Sequence, residues 1–210
     1  EVNGISKTSA LRLTMDGFMR SADQVLALLA TVNIGLDKWG STQSPGNLPD
    51  SDFVSALFQV QYARLLANGA QLILRGDVQW TNDPLLPLEQ IAIGGANTVR
   101  GYRENETVSD KGYLLSAQYQ YPLFEPISTD EGWGRLDLVL FSDYGRASNV
   151  GRNASPDREL ISVGAGLEWR FRDFLELDLH VAHGIGQASE KPDHNLQDEG
   201  VHLRLTVFNF

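Results

Sequence analysis

No cysteine occurs in the 210 residues, which excludes disulfide staples, thiolate metal sites and thiol nucleophiles at the outset. Positive charge is scarce as well. The chain has 17 Lys and Arg against 27 Asp and Glu, a formal net charge of −10, whereas a nucleic-acid binder needs basic surface to displace counterions. No run of about 18 apolar residues is present, so no membrane-spanning helix is encoded. A β-barrel escapes that exclusion, because only alternate residues of its strands face lipid. The 4 His residues do not fall into a ligand spacing with acids, and no P-loop appears, so neither a metal, a cofactor nor a nucleotide to power transport is expected. Glu1-Val2-Asn3-Gly4 lacks the basic and apolar parts of a signal peptide, which leaves a cleaved leader or a longer parent chain as the expectation.

What the sequence does have is alternation. In 161–171, Ile161, Val163, Ala165, Leu167, Trp169 and Phe171 share one face, and Ser162, Gly164, Gly166, Glu168 and Arg170 share the other. That period of two marks a strand with unlike faces. Leu175, Leu177, Leu179 and Val181 repeat it after a tight turn at Arg172-Asp173-Phe174. The same reading predicts strands over 10–20, 25–37, 53–65, 71–81, 112–122, the segment around 135–144, and 201–210. Their opposite face carries Arg12, Asp16, Asp37, Arg75, Asp77, Arg135, Asp137, Glu168, Arg170, Glu176 and Asp178. A charge facing lipid at mid-depth costs roughly 2–4 kcal/mol, so this face must look into a polar lumen.

The connections are sorted by length. Links at 21–24, 66–70 and 172–174 are short, those at 40–51, 82–111, 145–158 and 188–200 are long, and 123–133 is intermediate. Short turns at one end and long loops at the other are the habit of outer-membrane barrels. Aromatics agree: Trp80, Tyr113 and Tyr144 fall at outer strand ends, and Tyr62, Tyr121, Trp169 and Phe171 at inner ends, two girdles for two interfaces. The fold class expected is all-β, a transmembrane antiparallel up-and-down β-barrel whose polar lumen receives the 82–111 loop, with 1–210 forming its C-terminal part. Single-chain bacterial barrels have even strand counts, so the odd count of nine predicts further strands N-terminal to this sequence.

The 86–106 segment, LPLEQIAIGGANTVRGYRENE, carries Ile93-Gly94-Gly95 and then Val99-Arg100-Gly101-Tyr102. Two strands later comes Phe141-Ser142-Asp143-Tyr144-Gly145, and the chain ends in Phe208-Asn209-Phe210. In order and spacing these motifs resemble the superfamily of barrel-assembly proteins and two-partner secretion transporters, and with GYLLSAQYQYPLFEP they are most similar to the haemolysin-activator type. The resemblance implies a 16-stranded barrel, of which these are the last nine strands, preceded by periplasmic POTRA domains. It implies that Arg100, on a loop turned tightly by its glycines, pairs with Asp143 and stacks on Phe141. It also implies that Phe208 and Phe210 form a signal read by the barrel-assembly machinery. Two positions depart from the family: Gln118 stands where many such transporters carry Glu, leaving Glu168 as the remaining acidic partner for Arg100, and Leu205 stands where the assembly signal commonly has Gly.

The function expected from the resemblance is a pore in the bacterial outer membrane that moves an unfolded exoprotein partner to the surface without nucleotide hydrolysis. The alternatives are an insertase of the same superfamily and a passive channel, in which these motifs would have no role. A hydrolase built from Asp178, His180, Asp143 or His183 is a further alternative, weighed against the commoner reading of such residues as hydrogen-bonded wall side chains.

Overall fold

In a soluble sheet the leucines of an alternating strand are covered and the carboxylates wet. In this chain the exposures are reversed. On the strand Arg135–Ser148, Asp137, Val139, Phe141, Asp143, Gly145 and Ala147 are buried, whereas Leu140 is 47% exposed and Asp143 only 1%. The apolar row is the outer one, as a wall against lipid requires.

The computed structural model describes residues 6–44, 46, 48–124, 134–151, 157–172, 174–186 and 199–208. Eleven strands are formed: β1 Ala10–Arg20, β2 Gln24–Gly35, β3 Val54–Leu65, β4 Gln71–Thr81, β5 Ile91–Ile93, β6 Thr107–Ser109, β7 Lys111–Phe124, β8 Arg135–Ser148, β9 Arg158–Phe171, β10 Leu175–Gly184 and β11 Val201–Val207. Nine make one sheet in the order β1-β2-β3-β4-β7-β8-β9-β10-β11. Every neighbouring pair in it is antiparallel, as in an up-and-down meander. The sheet is open, with β1 and β11 at its edges.

Several expectations need correction. β2 ends at Gly35, so Asp37 lies beyond the strand, where Gln43 donates to its carboxylate. β9 begins at Arg158, three residues earlier than the alternation suggested, and pairs with β8 along its whole length. β7 runs on to Phe124 through a register shift between Pro122 and Phe124; a proline cannot donate to the ladder, and such irregularities gather where one falls. The 82–111 segment is not all loop, because β5 and β6 pair as a hairpin inside it. β11 stops at Val207, and Phe210 lies outside the described residues.

That inserted segment bridges the two edge strands. Glu89 accepts from Arg12 of β1 at 2.6 and 2.9 Å, and the Gly101 amide donates to His202 of β11 at 3.2 Å. Strands lie about 4.8 Å apart, so the edges of a flat nine-stranded sheet would be separated by about 38 Å. One segment touches both edges from the same face because the sheet wraps around it.

Candidate functional site

The site is the seat of the 82–110 segment on the inner faces of β7 to β11. Its foot is fixed by Asp110, 2% exposed, whose carboxylate accepts from the Leu85 amide, the Gln90 side chain and the Val150 amide at 2.9, 2.8 and 2.7 Å. Gln79 of β4 donates to the carbonyls of Glu89 and Asp110, holding both limbs of the segment. Above this foot, Ile93, Val99 and Tyr102 pack with Leu114, Ala147 and Leu160 of the wall into a small apolar cluster. A segment between strands thus carries its own core.

Arg100 projects from this core onto β7 and β8. Its Nε and Nη2 donate to Oδ2 and Oδ1 of Asp143, both at 2.8 Å, a two-point fork. Its own backbone amide donates to Oδ2 at 3.2 Å, and Ser116 Oγ donates to Oδ1 at 2.6 Å. The guanidinium lies 3.4 Å from the centre of the Phe141 ring, and the His180 ring meets that phenyl edge-on. Both charges are buried, at 8% and 0% side-chain exposure. A buried pair of this kind adds little net stability, yet losing one partner strands the other charge, so it fixes position. Lysine could not reproduce the planar fork.

Gln118 and Glu168 take roles the alternation did not distinguish. Arg100 Nη1 donates to Gln118 Oε1 at 2.8 Å, and Gln118 Nε2 donates onward to Glu168 at 3.4 Å. Glu168 also accepts from Gln120 at 2.8 Å and lies 3.3 Å from His180 Nε2. Glu168 is therefore not a direct partner of Arg100. The amide bridges the two, since it alone carries an acceptor and a donor at one end; a second carboxylate at 118 would accept from Arg100 but could not donate to Glu168.

Tyr102 is 1% exposed. Its hydroxyl donates to the Ile161 carbonyl at 3.0 Å and accepts from the Gly186 amide at 2.9 Å, tying β9 to the end of β10. Gly101 has φ +89°, a region a side chain rarely enters, and this turn aims Arg100 and Tyr102 at different strands. The wall has matching recesses. A Cβ at Gly145 would come within 2.6 Å of Ile93 and 2.9 Å of Val99, and one at Gly184 within 2.8 Å of the Tyr102 ring. Glycine at 145 thus completes the Phe141–Asp143–Gly145 row as a seat rather than as a turn.

Of the residues singled out from sequence, Val99, Arg100, Gly101, Tyr102, Gln118, Phe141, Asp143 and Gly145 meet at this seat, and Phe208 lies apart from it, its amide bonded to the Phe174 carbonyl. The hydrolase set is not assembled: Asp178 is held by Arg204 at 2.6 Å, Asp143 by Arg100, and His183 is exposed on the outward row of β10. Glu89, Asp110 and His202 were missed, and no local pattern marks them.

A family model described as haemolysin secretion/activation protein ShlB/FhaC/HecB matches residues 4–171. Among solved structures, CdiB from Escherichia coli superposes with a TM-score of 0.77 at 18% identity over 96% of this chain. The chain spans 37% of the length of that structure. No curated protein matches.

Proposed function

This chain belongs to the haemolysin secretion/activation protein family ShlB/FhaC/HecB, and on that premise we propose that it forms part of an outer-membrane pore that passes an unfolded exoprotein to the cell surface. The nine strands supply wall, with lipid against their apolar rows and a polar lumen on the other side. The partners are the secreted polypeptide, outer-membrane lipid and the assembly machinery that inserts the barrel; nucleic acid has no place in this reading.

The observation that carries it is the buried Arg100–Asp143 fork over Phe141. A passive channel does not require the Val99–Tyr102 tip and the Phe141–Gly145 row to meet in a desolvated charge pair. A secretion pore does, because a segment inside the lumen must be kept in one place until a chain passes it. The reading calls on no nucleotide, since the sequence carries no P-loop to power transport. In the full-length protein, Arg100→Ala should cut export of the cognate partner at least tenfold while insertion and heat-modifiable migration persist, and Arg100→Lys should restore little. Undiminished export by Arg100→Ala would refute the reading.

A further inference from the structure

We propose that His202 of β11 is a second, releasable anchor of the inserted segment, holding its tip from a different strand than Asp143. This rests on the pore reading above and concerns how the tip is held. The Gly101 amide donates to His202 Nε2 at 3.2 Å across 101 positions of sequence. Consecutive residues of the tip are therefore gripped by different strands: Arg100 by β7 and β8, Gly101 by β11. The neighbouring Gly200 carbonyl accepts from the Ala182 amide at 2.9 Å, which fixes the start of β11 beside β10 just where the tip crosses.

The two anchors differ in kind. Asp143 holds Arg100 by a charge pair buried under Phe141. His202 is half-buried, borders a cavity of about 310 Å³ shared with Arg100, Gln118 and Glu168, and makes a bond between neutral groups. That bond requires Nε2 to be unprotonated, since an imidazolium donates at both nitrogens and cannot accept. Protonation of His202 therefore removes one anchor and leaves the other. The groups facing the imidazole are Arg100 and Glu104 from the inserted segment, Asp143 from β8 and His180 from β10. Glu168 of β9 and the Arg204–Asp178 pair border the same cavity. Of these, only His180 is a second imidazole, and it is the cross-strand partner of His202.

These 210 residues hold no cysteine, so with any cysteine elsewhere in the full-length protein replaced by serine, Ala96→Cys, at an exposed position of the tip, gives a single site for a nitroxide after reconstitution in phospholipid vesicles. At pH 8 we expect His202→Ala to raise the mobile fraction of the spectrum about 5-fold, the effect of one neutral hydrogen bond. His202→Gln, whose amide oxygen accepts in the same sense, should stay within about 2-fold of the parent. Lowering the pH to 4.5 should mobilise the parent label and leave the His202→Gln label unchanged. An immobile label in His202→Ala would overturn the proposal, and so would a pH response that survives in His202→Gln, since His180 would then carry it. If His202→Ala fails to insert, the parent and His202→Gln titrations still decide. Export is scored separately: normal label behaviour without any export from the parent would sink the pore reading and leave the anchor standing.

Discussion

β1 and β8 alternate equally well in sequence, yet their inward faces have little in common. Six inward residues of β8 are buried and four of them, Phe141, Asp143, Gly145 and Ala147, touch the inserted segment. On β1 the inward Thr14, Asp16 and Phe18 are exposed, and Arg12 alone reaches across, to Glu89. Alternation decides which side of the wall a residue takes. How tightly that side is packed depends on where the 82–110 segment lies, and it lies against β4 and β7 to β11.

The comparison breaks most visibly by exchanging faces. Leu140→Arg puts a charge on the outward row of β8 and should cost about 2–4 kcal/mol in unfolding from lipid vesicles. Phe18→Arg, inward on β1 and 76% exposed, should be nearly silent; equal losses from both would end the assignment of faces. A smaller difference separates two glycines. Gly145→Val drives methyls into Ile93 and Val99 and should cost about 1–3 kcal/mol by overpacking, with new protease cuts in 82–110. Gly17→Val meets nothing within 4 Å and should stay within about 0.5 kcal/mol. Smallest of all is the exposed Arg146–Asp157 pair at 2.7 Å. Asp157→Asn should leave the melting midpoint within scatter, because water and salt screen such a pair.

The same contrast explains what could be read in advance. The nine sheet strands and their faces follow from period-two alternation and from turns such as 21–24 and 172–174, because sidedness is a local property of the backbone. β5 and β6 did not show, since three residues each are too few for a period to emerge. Gly164 and Gly166 read only as small residues on the polar face, Gly145 only as the end of a motif, and Gly184 carried no reading. Their meaning lies in what fills the recess: Ile93 and Val99 over Gly145, Phe141 over Gly164, His180 over Gly166, Tyr102 over Gly184. Glu89, Asp110 and His202 were hidden for a related reason, as each acts on a partner dozens of positions away and nothing in its neighbours says which. Arg100, Phe141 and Asp143 were legible through motif resemblance rather than through pattern. Gln118 read as a lost acid, and its bridging geometry needed coordinates.

The most direct test of the inserted segment as a held element is a double-mutant cycle in the full-length protein, with Arg100→Ala, Asp143→Ala and both together, scored by export of the cognate partner. Removing either half strands the other in a buried site, so the second substitution should add little to the first, with a coupling of roughly 1–3 kcal/mol. Strictly additive losses would mean that the two residues act independently and that this charge pair does not hold the segment in place.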